Sequence, residues 1–296
     1  MPCPICQSPK TALFIAGLTD TYYGTTTEKF DLWACENCEA KFQQPFIAEE
    51  TVGKYYPSST YQPYQMSANP VQLSWKHNPQ SMYLRELLKK HAPNDRFSLI
   101  DVGCGGGGFL MSVKHYFPNA YLAGVDISEA SMQNLKAIGV DGFCGSLYDV
   151  ELPQKFDYIT SSQVLEHVNQ PYLFQQTLRK LAHDNTIIMI DIPAADSFTA
   201  RKFGRHWTHW DLPRHSILYT KKTLTHLFRD FNNLEIRRGG SVLAILSSYK
   251  LSKGKDVFQP IFPFESLLFR AITQMGKVLR LSFLFDDKLI WIGKIK

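Results

Sequence analysis

Short apolar runs alternate with helix-like patterns from about residue 80 onward. Strands are predicted at 97–102, 120–125, 140–144, 156–161 and 186–192. Helical spacing of apolar positions occupies the intervals, at 80–90, 109–116, 128–138 and 171–182. This alternation predicts a Rossmann-like α/β fold, in which helices cover both faces of a parallel sheet. Two later runs, at 234–238 and 289–295, have no crossover helix of ordinary length between them and predict an antiparallel C-terminal hairpin.

The first 50 residues contain two CxxC pairs instead of this alternation. Cys3 and Cys6 form one pair, and Cys35 and Cys38 form the other, directly after a predicted strand at 30–34. Paired CxxC knuckles in a chain without an export signal predict a structural Zn²⁺ site, since four thiolates fill all four of its coordination positions. The metal would supply folding energy to a segment too small for its own core. The alternatives are two unrelated pairs or a redox CxxC; we predict a zinc ribbon.

Local amino-acid composition divides the chain into three predicted parts. Residues 51–79 are rich in Tyr, Pro, Ser and Asn, which is typical of an irregular linker with aromatic anchors. The predicted parts are therefore a zinc ribbon at 1–50, this linker, and an α/β domain at 80–296. With 44% hydrophobic, 13% aromatic and 20% charged residues, the composition excludes a disordered chain. No membrane-spanning run and no signal peptide are recognisable, so we expect a cytoplasmic protein.

The formal net charge of +5 is unevenly distributed along the chain. Residues 1–50 hold three Lys against seven acidic residues, whereas residues 201–238 hold nine Lys and Arg against three. Phosphate binding requires clustered cations on the contacting surface. The acidic N-terminal segment therefore disfavours a nucleic-acid partner, although the later basic segment keeps an RNA partner as an alternative.

The strongest chemical signal is a glycine-rich turn after the first strand of the α/β domain. Asp101 lies near the end of the strand predicted at 97–102, and Gly103, Cys104, Gly105 and Gly107 follow before a predicted helix. Glycines let the backbone approach a ligand at a helix N-terminus. The turn also satisfies G-x-G-x-x-G, which leaves an NAD(P)-dependent oxidoreductase as an alternative. A carboxylate at the end of the second strand, Asp126, is placed to bind the ribose hydroxyls of an adenosine cofactor.

Asp101 distinguishes these alternatives, because an acid at this position would repel the pyrophosphate of a dinucleotide and attract an ammonium or sulfonium. Here the chain resembles the class I S-adenosylmethionine (SAM) dependent methyltransferases, whose first motif runs acid-x-Gly-x-Gly-x-Gly. Residues 156–159 and 188–193 resemble the family's fourth and fifth strands, and 164–168 resembles its leucine-glutamate-histidine turn. The resemblance extends from about residue 80 to the C-terminus. Zinc ribbons also occur among such enzymes.

The resemblance implies a role for each residue of the cofactor site. Asp101 would lie under the SAM ammonium, and the methionine moiety would be lined by Gly103, Cys104, Gly105 and Gly107. Asp126 would bind the ribose, Ile127 would flank the adenine, and Gln163 would face the methyl donor. Where the family often has an acid for the adenine amino group, this chain has Ser146 and Leu147. We expect Ser146 to hydrogen-bond the base and Leu147 to pack on its face. His167, in the 164–168 turn, either has a functional role or is a histidine at a helix start that satisfies local backbone groups.

A basic and aromatic segment follows the fifth strand, and we predict that residues 195–220 form a lid on the acceptor side. The segment resembles a variant found in many bacterial members of the family, with a tryptophan pair and a proline-arginine-histidine step before a helix at 221–231. His215 and His209 are the candidate general bases. Trp210, with Trp207, is expected to wall the acceptor, and Arg205 or Arg214 to hold an anionic one. Alternatively, the aromatic residues are core and His215 caps a local turn.

Residues 263–281 have the pattern of an amphipathic basic helix, which either packs on its own domain or contacts a membrane surface or a lipid-linked substrate. Together these patterns predict a SAM-dependent methyltransferase with a structural Zn²⁺. Its methyl group would go to an oxygen or nitrogen of a small-molecule or glycan/lipid-linked acceptor. The alternatives are a zinc-ribbon RNA methyltransferase and an NAD(P)-dependent Rossmann oxidoreductase.

Overall fold

The computed structural model describes residues 1–56, Glu86, and residues 88–92, 94–240, 242–257 and 286–296. Most of the predicted linker and of the helix at 80–90 lies outside the described residues. The predicted amphipathic helix at 263–281 lies wholly outside them. The division into parts at residues 50 and 80 therefore stays a prediction.

Eleven strands in the described residues form two sheets. Their bounds are β1 (Thr11–Leu18), β2 (Phe30–Cys35), β3 (Lys41–Gln44), β4 (Ser98–Val102), β5 (Tyr121–Asp126), β6 (Asp141–Cys144), β7 (Phe156–Ser162), β8 (Ala182–Pro193), β9 (Ile217–Leu218), β10 (Phe231–Gly239) and β11 (Lys288–Ile295). The smaller sheet has the order β1-β2-β3-β9, and the larger has the order β10-β11-β8-β7-β4-β5-β6.

The helices of the described residues lie between these strands, and a short helical stretch also covers 88–91. The bounded α-helices are α1 (Glu49–Val52), α2 (Gly108–Tyr116), α3 (Glu129–Ala137), α4 (Pro171–Leu181), α5 (Phe198–Phe203), α6 (Lys221–Leu227) and α7 (Val242–Ser252). Single turns of 3₁₀-helix occupy Gly53–Tyr55, Leu165–His167, Gly204–His206 and Thr208–Trp210. None of the helices in this part of the chain combines the length and apolar character that crossing a membrane requires.

The larger sheet confirms the predicted Rossmann-like α/β fold. Strands β4 to β8 run parallel, and β11 pairs antiparallel with both β8 and β10. The two C-terminal strands are thus antiparallel neighbours, as predicted. Because β4 pairs with β5 on one side and β7 on the other, the strand order reverses beside it. In open parallel sheets ligands bind outside the carboxyl ends of the strands at this reversal.

Apolar burial explains why β8 lies inside this sheet, between β11 and β7. Its sequence from Ile187 to Ile192 is buried on both faces, as expected for a strand covered by helices on either side. On one face α4 packs through Phe174 and Leu178, which are fully buried. Toward the antiparallel edge, Trp291 stacks on Phe228 with ring centroids 4.1 Å apart. The same apolar runs that predict the strands therefore form the core.

The smaller sheet joins the N-terminal segment to a strand from the late basic segment. Strands β1, β2 and β3 are antiparallel neighbours, and β3 then pairs antiparallel with β9, with Phe42 opposite Ile217. The Gln43 amide also donates a hydrogen bond to Ser216 O (2.9 Å). The sheet of the N-terminal module is therefore completed by residues some 170 positions later in the chain.

Aromatic residues of the predicted lid pack into this junction. Trp207 and Trp210 are 2% and 4% exposed and belong to a cluster with Tyr55 and with residues of the N-terminal sheet: Leu18, Phe30 and Leu32. The Trp210 indole donates a hydrogen bond to Gly204 O (2.7 Å). Both tryptophans therefore contribute to the core between the two sheets.

A fully buried ion pair network lies at the same junction. The Arg214 guanidinium donates to Asp20 Oδ1 and Oδ2 at 2.6 and 2.8 Å, and to Asp211 Oδ1 and Oδ2 at 2.5 and 3.1 Å. It also donates to Thr25 Oγ1 (2.8 Å) and to Tyr55 O (3.3 Å). Because this side chain is enclosed by its own partners, it does not have the free guanidinium that binding an anionic acceptor requires.

Replacing Arg214 leaves two buried carboxylates without their cation, so Arg214→Met is expected to lower the free energy of unfolding by about 3–5 kcal/mol. Arg229→Met is the matched control, since the ion pair of the Arg229 side chain with Asp230 among the described residues is exposed and 3.8 Å long. Its loss should change stability by less than about 0.5 kcal/mol. Urea denaturation followed by tryptophan fluorescence measures both. Equal effects of the two substitutions would contradict this assignment.

Candidate functional site

The glycine turn between β4 and α2 depends on conformations that favour glycine. Gly103, Gly105 and Gly107 have φ of +71°, +50° and +79°. A Cβ on Gly103 would lie 2.3 Å from Val164 Cγ2, so the turn passes directly under the loop that follows β7. Gly107 is the N-cap residue of α2, whose first backbone N–H groups have no partner within the helix. Such a turn offers donors and a positive helix end to a ligand.

Backbone hydrogen bonds hold this turn to the neighbouring strand. The amides of Gly103 and Cys104 donate to Val125 O at 2.8 and 3.2 Å, and the Cys104 side chain is buried. Asp126, at the end of β5, accepts from the Gly105 amide through Oδ2 (2.8 Å) and from the Ser128 amide through Oδ1 (3.0 Å). The carboxylate therefore fixes the turn while its remaining lone pairs stay available to a ligand.

Three further predicted cofactor residues lie close in the chain to Asp126. Ile127 is a large apolar side chain that is 67% exposed, directly beside that carboxylate. The Gly145 amide donates to Asp126 O (2.9 Å), which brings the loop with Ser146 and Leu147 to the same edge of the sheet. Ser146 Oγ accepts from the Tyr148 amide (3.3 Å), and Leu147 is partly buried against the core. An exposed apolar side chain beside polar groups suits the face of a planar ring.

Asp101 is buried at the carboxyl half of β4. Its Oδ1 accepts a hydrogen bond from Thr160 Oγ1 at 2.7 Å. Burial raises the pKa of Asp101 to about 7, and the nearby charge of Asp126 also raises it, while the Thr160 hydroxyl lowers it. A buried acid in this state is ready to ionise when a cation arrives.

Gln163 follows β7 in a left-handed conformation, with φ of +58°. Its amide donates to Asp191 O (2.8 Å), and its side-chain Nε2 lies 3.4 Å from the same oxygen. Left-handed backbone is uncommon outside glycine, and such positions cluster at functional sites. The structure thus brings Asp101, the glycine turn, Asp126 and Gln163 to one edge of the sheet, at the ends of β4, β5 and β7.

The four N-terminal cysteines form a second cluster. All four sulfur atoms lie within 4.8 Å of one another, and the pairs Cys3–Cys38 and Cys6–Cys35 are each 3.5 Å apart. No disulfide joins them. The amides of Ile5 and Cys38 donate to sulfur atoms at 3.4 and 3.5 Å. A tetrahedral Zn²⁺ with sulfur bonds of 2.3 Å would hold its ligands about 3.8 Å apart, so these residues fit the metal.

The cysteine cluster is attached to the α/β domain by direct hydrogen bonds. Thr223 Oγ1 on α6 donates to Cys38 O (2.8 Å), and Tyr172 on α4 donates to Ile5 O (2.5 Å). Its closed sulfur set and its attachment to a helix are typical of a structural site rather than a catalytic one.

His215, a predicted base, is 6% exposed and fixed in place. Its Nδ1 lies 2.7 Å from His209 O, and its ring meets that of His167 with centroids 4.6 Å apart. Burial lowers the pKa of His215 to about 3. The ring is therefore neutral at physiological pH, and its role as a base stays a prediction.

His209, the other predicted base, is better solvated. Its Nε2 lies 3.3 Å from Oδ2 of the fully buried Asp287, and its side chain is 16% exposed. A carboxylate on one ring nitrogen fixes the imidazole and leaves the other nitrogen as an acceptor. Trp210 lies in the core beside it, so a contact of Trp210 with the acceptor also stays a prediction.

Glu166 is the residue to which the sequence assigned no role. It is fully buried, and among the described residues neither of its carboxylate oxygens has a hydrogen-bond partner. Burial raises the pKa of Glu166 to about 8. An acid flanked by apolar residues at 164–168 is the signal that could have found it, because acidic residues are seldom fully buried without a purpose.

The basic segment at 201–238 presents less free positive charge than its composition suggests. At least five of its nine Lys and Arg residues are engaged in ion pairs. These are Arg214, Lys222, Arg229, Arg237 and Arg238. Fewer of its cations are therefore free to contact a nucleic-acid backbone than the composition suggests.

The fold and this edge of the sheet together match a known family. A profile of the family described as "Methyltransferase domain" matches residues 68–236, more than half of the chain. The chain belongs to this family of class I SAM-dependent methyltransferases. Its α/β sheet and glycine turn are the elements that the family shares, and the clustered cysteines are consistent with a zinc ribbon.

Individual relatives are distant. The chain is 26% identical over 164 residues to the mitochondrial ubiquinone biosynthesis O-methyltransferase of Dictyostelium discoideum, covering 49% of this chain and 50% of that protein. It is 25% identical over 110 residues to malonyl-[acyl-carrier protein] O-methyltransferase of Bacillus anthracis, covering 35% and 39%. The chain thus spans about half or less of the length of these curated relatives.

Solved structures support the fold. Magnesium protoporphyrin IX methyltransferase from Synechocystis PCC 6803, solved with bound SAH, superposes with a TM-score of 0.54 at 12% identity. The superposition covers 84% of this chain and 100% of that chain. At this identity, the similarity concerns the fold alone.

Ionising the buried Asp101 carboxyl opposes folding, so Asp101→Asn is expected to stabilise the ligand-free protein at high pH. The folded pKa of about 7 exceeds the ordinary value of 3.8, so wild-type stability falls as the pH rises between these values. The variant's advantage in free energy of unfolding should be about 2–3 kcal/mol larger at pH 8 than at pH 5. Urea denaturation at both pH values measures it.

Asp157→Asn is the control with the opposite sign. Hydrogen bonds from Ser98 and His183 lower the pKa of Asp157 despite partial burial. Its removal should therefore destabilise the protein at pH 8. An Asp101→Asn advantage that does not change with pH would contradict the raised pKa.

Proposed function

We propose that this protein transfers the methyl group of SAM to an oxygen or nitrogen of a small-molecule or glycan/lipid-linked acceptor. The observation that carries the proposal is the glycine turn between two carboxylates, Asp101 and Asp126, at the reversal of strand order. When bound, SAM supplies a methyl group on a positively charged sulfur. The family membership supports the cofactor, and its O-methyltransferase relatives support an oxygen acceptor.

The residues at the turn would divide the cofactor between them. Buried Asp101 would compensate the ammonium, with Gly103, Cys104, Gly105 and Gly107 lining the methionine part. Asp126 would accept from the ribose hydroxyls, and exposed Ile127 would pack against the adenine, with Ser146 and Leu147 at its other side. Gln163, in its left-handed conformation, would face the methyl group. The positions of these side chains at one sheet edge support this assignment.

His209 is the better of the two predicted proton acceptors. Methyl transfer is an in-line displacement, and a neutral hydroxyl or amine must lose its proton during it. The contact between His209 Nε2 and Asp287 leaves Nδ1 to take that proton. His215, by contrast, is buried and its Nδ1 is engaged by His209 O. His215 would hold the acceptor side of the pocket in shape rather than exchange protons.

The cysteine cluster would hold one structural Zn²⁺ through Cys3, Cys6, Cys35 and Cys38. The sulfur separations and the amide donors support this assignment. The metal's role would be to fold the N-terminal module, which also packs against the lid segment. An RNA acceptor is less favoured, because the cations of the basic segment are largely paired.

Loss of Asp126, the residue proposed to bind the ribose, should weaken cofactor binding. Asp126→Ala is expected to weaken SAM binding at least tenfold, because buried hydroxyls would lose a charged partner and the turn would lose its link to Gly105. Isothermal titration calorimetry with SAM and with its demethylated product measures this.

Asp141→Ala is the matched control: the Asp141 side chain, at the start of β6, accepts a hydrogen bond from the exposed Tyr121 hydroxyl, and its loss should leave SAM binding unchanged. NAD should not bind the wild-type protein. Tight NAD binding without SAM binding would refute the proposed cofactor.

The proposed base predicts a separation between binding and turnover. Once a panel of hydroxyl and amine acceptors has identified a substrate, His209→Gln should lower turnover by roughly 10²–10⁴-fold and leave SAM affinity unchanged. His226→Gln, on α6, is the control and should retain full turnover. Wild-type activity in the His209 variant would exclude it as the base.

Removing two sulfur ligands should remove one equivalent of zinc. The Cys35→Ser, Cys38→Ser double variant is expected to contain one zinc per chain less than the wild-type protein, and to have a lower thermal midpoint because metal binding contributes to folding. Elemental analysis by mass spectrometry gives the stoichiometry. Cys144→Ser, which changes an exposed cysteine outside the cluster, should lose none. Unchanged zinc in the double variant would contradict the proposed site.

A further inference from the structure

Three buried or partly buried side chains converge beside the proposed acceptor side of the pocket. Glu166 and His167 lie in the 3₁₀ turn after β7, and His215 lies just before β9. One ligand atom of each lies within 4.8 Å of the other two. None of these residues belongs to the cysteine cluster, and the methyl-transfer proposal gives Glu166 and His167 no role.

The contacts at Nδ1 are consistent with one tautomer for both histidines. His167 Nδ1 lies 3.1 Å from Arg214 O and 2.9 Å from the Tyr56 hydroxyl oxygen, and His215 Nδ1 lies 2.7 Å from His209 O. A carbonyl oxygen only accepts and a hydroxyl oxygen can also accept, so a ring hydrogen on Nδ1 satisfies all three contacts. Such an Nδ1–H to carbonyl contact is the usual outer hydrogen bond of a metal-binding histidine.

Each Nε2 then carries the lone pair of its ring. His215 Nε2 lies 3.8 Å from the carboxylate oxygen Oδ2 of Asp211.

Glu166 provides the third ligand atom, and its unpaired carboxylate oxygens are an independent observation that points to a ligand. It is completely buried, and both carboxylate oxygens are without a hydrogen-bond partner among the described residues. Leaving a buried polar group without a hydrogen-bond partner destabilises the folded state, so such groups call for an explanation. Its main chain is fixed, because Glu166 O accepts from the Ser216 amide at 2.8 Å. The backbone of Glu166 is therefore held by a hydrogen bond, whereas its carboxylate makes none among the described residues.

We propose that Glu166, His167 and His215 bind a divalent transition-metal ion through one carboxylate oxygen and two Nε2 atoms. Two imidazoles and one carboxylate form a donor set suited to Zn²⁺, Fe²⁺ or Co²⁺. Bonds of 2.0–2.2 Å require ligand atoms roughly 3.4 Å apart, so each side chain would move by less than about 1 Å. Three protein ligands leave a coordination position open to an oxygen donor. His167 is partly exposed, which gives an ion a path of entry.

Metal stoichiometry tests this site without any methyl acceptor, so its failure and the failure of the proposed methyl transfer are distinguishable. The full chain, equilibrated with excess Zn²⁺ and desalted, should contain two zinc ions. Glu166→Gln should contain one, and so should the Cys35→Ser, Cys38→Ser variant. Competition with a chromophoric chelator should show the Zn²⁺ affinity of the second site falling at least 100-fold in Glu166→Gln, beyond the 10–100-fold typical of losing an outer hydrogen bond.

Co²⁺ distinguishes the two sites by their spectra. Bound by the cysteines, it gives intense thiolate charge-transfer absorption, whereas the nitrogen and oxygen site gives only weak d–d bands. The Cys35→Ser, Cys38→Ser variant should keep the weak bands and lose the intense ones. Glu166→Gln should show the reverse.

Matched controls separate ligation from folding. Glu235→Gln and His183→Gln change an acid and a histidine that make ion pairs elsewhere, and both should retain two zinc ions. His215→Gln is the second variant, and near-ultraviolet circular dichroism with a retained cysteine-bound zinc shows that each variant is folded. A wild-type protein that holds one zinc, all of it lost with Cys35 and Cys38, would overturn the proposal.

Discussion

The buried Arg214 network fixes the position of the N-terminal sheet relative to the segment that carries His209 and His215. Asp20 belongs to the N-terminal module and Asp211 to the lid segment, and the guanidinium binds both. Its backbone contributes again, because Arg214 O accepts from His167 and the next residue is His215. An ion pair enclosed in this way is costly to break, since each remaining charge would be buried alone. The positions of His167 and His215 therefore depend on contacts with the N-terminal segment that carries the cysteine cluster.

The sequence was most informative where one physical requirement dominates. Strands between helices need long apolar runs, so 186–192 was predictable and lies inside β8. The glycine turn and Asp126 were predictable because a close backbone approach and a strand-end carboxylate leave few alternatives. The cysteine cluster was predictable because two CxxC pairs together supply the four thiolates of a tetrahedral metal site. In each case the requirement is local, and the residue types that satisfy it are few.

The lid was harder to predict because its residues are placed by distant partners. Tryptophans and arginines suit both a ligand pocket and a domain junction. Contacts with Asp20, Thr25 and Tyr55, all more than 150 positions away, assign Arg214 to the junction. Glu166 was overlooked because its motif is shared by many family members, and burial cannot be read from a motif. Similarly, the pairing of β3 with β9 involves only two residues of the late strand, too few for any hydrophobic period.

The pairing of β3 with β9 has a consequence for the chain during its synthesis on the ribosome. The β3 edge is synthesised first, and its partner at Ile217 follows about 170 residues later, which at usual translation rates is roughly 10–35 s. During this interval the emerging chain carries an open strand edge, a known template for unwanted association. Early loading of the cysteine knuckles would hold β2 and β3 in register while the ribosome completes the rest. Zinc binding at the proposed site during translation would then favour the native strand pairing.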